Sequence, residues 1–120
     1  MIRTIAFWTV IVVLCVRAAD VIPARKAKEF TGSTQTVRGW VASSKYAANS
    51  KGRPTFLNLD KPYPEQVLTV VIWGSDRNKF PFPPETFYLE KNIRVTGLIK
   101  LRHGVPEIIV SSPSQIEIDE

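Results

Sequence analysis

The sequence predicts an all-β domain, a small antiparallel barrel or sandwich with one short helix in front of it. Three observations predict this. From Thr34 onward apolar residues alternate with period two instead of recurring at the helical period. The alternation falls into five runs, TVRGWVAS, TFLNLD, VLTVVIW, IRVTGLIKL and PEIIVS, rich in Val, Ile, Thr and aromatics and bounded by Gly, Pro, Asn or Ser. No helical pattern separates the runs, and five strands in about 80 residues favour a barrel or sandwich over a parallel α/β sheet. At 120 residues the chain is the size of one domain.

The N-terminus precedes this pattern and has a different logic. MIRTIAFWTVIVVLCVRAAD carries Arg3, an apolar run from Ile5 to Val16, and small residues at Ala18 and Ala19. That is the layout of a secretory signal peptide, and the run is short for a spanning helix, which needs roughly 20 residues. Cleavage after Ala18 sets Val16 and Ala18 at the recognition positions; cleavage after Ala19 would set the bulky Arg17 there. Residues 1–18 are therefore read as the signal, with an uncleaved anchor as the alternative. Cys15 is the sole cysteine and falls inside this segment, so the mature chain is expected to lack thiols and disulfides. Leu14 before it argues against lipidation. Loss of Arg3 and Arg17 lowers the formal charge from +5 to about +3. A mildly basic, exported protein is the expectation, and that charge permits an anionic partner without requiring one.

Residues 19–33 form the lead-in. In PARKAKEFTG, Pro23 suits a first helical turn, Ala24, Ala27 and Phe30 share a face, and Gly32 ends the helix. Residues 34–118 hold the strands. SSKYAANSKG, between the first two runs, is a long polar loop, and DKPYPE is a proline-stiffened turn. The longest connection, GSDRNKFPFPPETFYLEKN, is broken by Pro81, Pro83 and Pro84, leaving room for at most a turn around residues 76–79. RHGV joins the last two runs tightly, with Gly104 at positive φ.

The order and spacing of VRGWV, TFLNLD, LTVVIWGSD and NIRVTGLIKLRHGVPEIIVSSPSQI resemble the OB-fold, specifically nucleic-acid-binding modules of the anticodon-binding type, over about residues 24–118. The resemblance implies a five-stranded Greek-key barrel. Gly39 and Gly97, within two long strands, fit the tight bends or bulges that closing a small barrel demands. It also implies a ligand face across the second and third runs, flanked by residues 43–52 and 102–105.

Alternation divides the second and third runs into an apolar set, Leu57, Leu59, Leu68, Val70 and Ile72, and an opposite set, Phe56, Asn58, Asp60, Thr69, Val71 and Trp73. The candidate ligand-binding residues are Phe56, Asn58, Thr69 and Trp73 with Lys45, Tyr46, Lys51, Arg53, Arg102 and His103 from the loops. An exposed aromatic there stacks on a nucleic-acid base, and the basic side chains, with Lys61 and Arg77, meet phosphates. Each residue also has a plainer reading. Trp73 packs under a loop, Tyr63 braces the hairpin between its prolines, His103 is a turn residue, and Trp40 covers a barrel end against the helix. Asp60, Asp76 and Glu107 dilute the basic patch.

One histidine, no mature cysteine and no HExxH or GxSxG pattern leave no nucleophile with a base, so no enzyme is expected. Asn58, Asp60 and Asp76 are too scattered for a metal loop, and no cofactor is expected. The chain reads as a monomeric binding module for single-stranded nucleic acid or oligonucleotides. The alternative is an exported envelope module that binds a protein or an oligosaccharide through the same face. Once the signal is cleaved, no membrane contact is expected.

Overall fold

The structure, a computed structural model, describes residues 20–119. The export segment 1–18, its cleavage alternatives and Cys15 lie outside the described residues. The described residues hold seven strands: β1 (Val21–Pro23), β2 (Thr34–Tyr46), β3 (Thr55–Leu59), β4 (Leu68–Ile72), β5 (Asn92–Arg102), β6 (Val105–Ile109) and β7 (Ile116–Ile118). The five alternating runs are β2 to β6. Three-residue strands such as β1 and β7 are too short to show a period in sequence.

The pairings β2–β3, β3–β4, β5–β6 and β2–β5 are antiparallel and β4–β6 is parallel, closing a ring in the order β2, β3, β4, β6, β5. This is a closed five-stranded barrel with OB connectivity, mixed instead of purely antiparallel. The long connection after β4 delivers β5 to β2, and the β5–β6 hairpin then lays β6 alongside β4 in the same direction. His103 and Gly104 form that hairpin's two-residue loop, both at positive φ (50° and 79°), as a type I′ turn requires.

β2 and β5 are the long strands, and each changes partner midway. β2 pairs with β5 through Trp40 and with β3 from Val41 onward; β5 pairs with β2 through Leu98 and with β6 from Ile99. Gly39 and Gly97 sit at these changeovers. A Cβ on Gly39 would lie 3.1 Å from Ala24 Cβ and Leu59 Cδ1, and one on Gly97 would lie 2.6 Å from Ile108 Cγ2. Close approach of neighbouring chain, more than backbone angle, excludes a side chain there. A bulge between Val41 and Ser43 completes the bend of β2.

Alternation buries Leu57, Leu59, Leu68, Val70 and Ile72 completely, as the sequence predicts, against Val37, Val41, Ile93, Val95, Ile99 and Ile108. The lead-in helix is a seven-residue 3₁₀ helix, Ala24–Phe30, in which residues three apart lie in line. Ala24 and Ala27 are buried in the core and Phe30 stays 36% exposed. Trp40, expected over this end of the barrel, is 41% exposed; alanine methyls at the Gly39 approach fill the space instead.

The β4–β5 connection plugs the other end. Its two single-turn helices are α1 (Gly74–Arg77) and α2 (Pro84–Phe87). The second was not anticipated: Pro84 reads as a break, yet its fixed φ also suits a first helical turn, where no N–H is needed. Phe80 and Tyr88 are buried, Tyr88 sets its ring edge against Phe80, Phe82 and Phe87, and Phe82 stacks on Phe87 at 3.7 Å. Arg77 holds the plug in place. Its two terminal nitrogens donate to Glu85 at 2.6 and 2.9 Å, one of them also donates to Thr55 Oγ1 at 2.9 Å, and the guanidinium lies 3.7 Å over the Tyr46 ring. Arg77 is therefore committed to the fold and not free for phosphate.

Two outcomes follow. Gly97→Ala forces a methyl into Ile108 and should cost about 1–3 kcal/mol, read as a lower urea midpoint at unchanged slope. The hydrogen bonds from Arg77 hold the Glu85 carboxyl below the usual glutamate range, outweighing the upward push of burial. Stability from this pair is complete above the unfolded-state value and lost as pH falls through the lowered folded value. The stability gap between wild type and Glu85→Gln should therefore shrink on acidification through the carboxylate range. A gap that stays constant with pH would exclude this account.

Candidate functional site

Outward residues line up in rows around the barrel because the registers fix them. One row crosses β2, β3, β4, β6 and β5 as Ser43, Asn58, Thr69, Glu107 and Lys100. The next crosses β2, β3, β4 and β6 as Lys45, Phe56, Val71 and Ile109. A polar row thus lies beside a mainly apolar one. Over Ser43, Asn58, Thr69 and Glu107 of the first row and Lys45 and Phe56 of the second opens a groove of about 700 Å³, bounded by Ala47 and Ser50 of the β2–β3 loop, Tyr63 and Gln66 of the β3–β4 turn, and Arg102 and His103 of the β5–β6 hairpin.

Hydrogen bonds fix the floor. Ser43 Oγ accepts from Asn58 Nδ2 and from the Tyr63 backbone N–H, each at 3.0 Å, tying strand to turn. Gln66 Nε2 donates to Thr69 Oγ1 at 3.0 Å. Each amide thereby spends its nitrogen on the barrel. Asn58 Oδ1 and Gln66 Oε1 are buried with no partner, and Asn58 is only 3% exposed. A buried acceptor left open costs about 1–3 kcal/mol. Glu107, 8% exposed, adds a carboxylate to the same groove. Phe56 is half-buried on the floor, and Tyr63 stands 73% exposed at the rim. The groove is acceptor-rich below, aromatic along one side and weakly basic at the edge.

Of the sequence candidates, Lys45, Phe56, Asn58, Thr69, Arg102 and His103 come together in this groove. Tyr46 lies outside it, beneath Arg77. Arg53 faces a separate hollow with Arg77 and Phe82. Lys51 is exposed on the β2–β3 loop, away from the lining. Trp73 packs under that loop: a Cβ on Gly52 would meet its ring at 3.0 Å, and Gly74 N donates to Gly52 O. Tyr63, read as a brace of its hairpin, projects its ring into solvent while its backbone makes the brace. Ser43 and Gln66 were not singled out from sequence. The bulge after Val41 moves Ser43 onto the outer face, against strict alternation, and Gln66 sits in a turn whose path no period describes.

No protein-family model matches the chain, and no curated protein does. Solved structures do. An aspartyl-tRNA synthetase from Entamoeba histolytica matches with a TM-score of 0.56 and 18% identity over 86% of this chain and 22% of that one. A protein described as a putative aspartyl-tRNA synthetase from Leishmania major Friedlin matches at 0.55 and 16% identity, covering 90% of this chain and 22% of its own. This chain thus spans about a fifth of those synthetases' length. The OBody AM2EP06, bound to hen egg-white lysozyme, matches at 0.53 and 20% identity over 79% of this chain and 87% of that chain. At such identities the likeness is one of architecture, and it establishes that the chain folds as an OB barrel.

Proposed function

We propose that this barrel is a non-catalytic module that binds single-stranded nucleic acid in the groove over β3 and β4. The observation that carries the reading is the pair of open, buried amide oxygens, on Asn58 and Gln66, beside the Phe56 ring. A base offers a π-face to Phe56 and an amino N–H to the acceptors; no apolar ligand satisfies them. Tyr63 supplies a second ring at the rim, and Lys45 and Arg102 meet phosphates with a modest, salt-sensitive contribution. The synthetases that share the barrel are named for a nucleic-acid substrate, transfer RNA, which supports the same class of ligand. The N-terminal segment adds the proposal that the module works outside the cytoplasm.

A protein partner on the same face is the second reading. It is supported by the OBody, a chain matched over 87% of its length and bound to lysozyme.

Fluorescence anisotropy with labelled oligonucleotides at low and high salt tests the first reading. Phe56→Ala should weaken binding by about 1–3 kcal/mol. Because the groove floor accepts hydrogen bonds at two oxygens, oligo-dC or oligo-dA, whose bases carry a two-hydrogen amino group, should bind more tightly than oligo-dT, whose base donates only through N3–H. Absence of binding at low salt with about 50 μM protein, a concentration within the range where even non-specific contacts register, would reject nucleic acid and leave the protein reading.

A further inference from the structure

Beyond the groove, the outer face of the first half of β2 carries Thr36, Arg38 and Trp40, opposite Thr96, Arg94 and Asn92 of β5. Arg38 and Arg94 are direct cross-strand partners. Like charges so placed destabilise a sheet, and their neighbours relieve only one of them. Arg94 has Glu117 on its far side in register, and its Nε lies 3.0 Å from Asp119 Oδ1, an ion pair not aligned as a hydrogen bond. Arg38 has Pro23 on its far side, and its exposed side chain pairs with no acid among the described residues. Trp40, two residues along the same face, leaves 41% of its surface exposed. Asp60 beside it is used locally, its Oδ1 accepting from the Trp40 backbone N–H at 3.1 Å.

This face leads to the groove along β2. The bulge after Val41 keeps the outward direction continuous along β2 from Arg38 and Trp40 to Ser43 and Lys45, which line the groove. The length of strand from Lys45 to Arg38 is about 20 Å at the usual rise per residue. An unpaired guanidinium beside an exposed indole suits a phosphate next to a stacked base.

We infer that a single strand held in the groove continues along β2 to a second station, where Trp40 stacks a base and Arg38, backed by Arg94, holds a phosphate. This rests on the nucleic-acid reading of the groove and extends its footprint; OB barrels take about 4–16 nucleotides.

The test compares labelled oligo-dC of 4 and 12 nucleotides on the full chain and on Arg38→Gln, Trp40→Ala and Trp40→Phe. Circular dichroism confirms that each variant folds. Arg38→Gln and Trp40→Ala should each weaken the 12-mer by about fivefold or more and leave the 4-mer unchanged, and Trp40→Phe should restore most of the loss. Arg38→Gln should also reduce the salt slope for the 12-mer by about one unit. If the variants bind the 12-mer as wild type does, the second station is wrong while the groove reading stands. If they weaken the 4-mer equally, they act on the groove and the extended path is again wrong. If neither oligonucleotide binds wild type, the groove reading itself fails and this inference with it.

Discussion

Ring closure through β2 and β5 is the constraint on which the rest of the structure depends. Each of these strands serves two neighbours in succession, and the changeovers at Gly39 and Gly97 allow no side chain because Leu59 and Ile108 press against them. Once the bends are set, the registers are set, and a one-residue slip would exchange the inner and outer faces. Burial of Leu57, Leu59, Leu68, Val70 and Ile72 and presentation of Phe56 and Asn58 are two results of one register.

The groove is built at the expense of local stability. Ser43 satisfies two donors, and Asn58 and Gln66 satisfy their nitrogens, but the opposing oxygens stay buried and open. Asn58 thus carries one bond that ties β3 to β2 and one buried acceptor that the barrel leaves without a partner. The Arg77 cluster shows the contrast: there a charged side chain near a hollow has all its reach absorbed by Glu85, Thr55 and Tyr46.

The sequence revealed most where side chains follow a period. Five strands, their inner faces and the hairpin at His103 and Gly104 are all visible in alternation and turn chemistry. What it hid depends on non-local geometry. The parallel β4–β6 seam is settled by the route of a connection, not by the residues of either strand. Pro84 signals a break and a helix start equally. Tyr46 and Trp73 look like a ligand's aromatics until Arg77 and Gly52 are seen against them. Ser43 enters the site only through a bulge, and Gln66 only through the fold of a turn.

The seam between β4 and β6 also has a consequence for how the chain is made. Thr36 and Thr96, hydrogen-bonded across the barrel wall, are 60 residues apart in sequence, and β4 has no second neighbour until residues 105–109 exist. A fragment that ends before β6 therefore cannot close the ring. Contacts of such long range fold slowly. The barrel closes only once β6 is available, and until then the unpaired edge of β4 is the kind of exposed strand that favours aggregation.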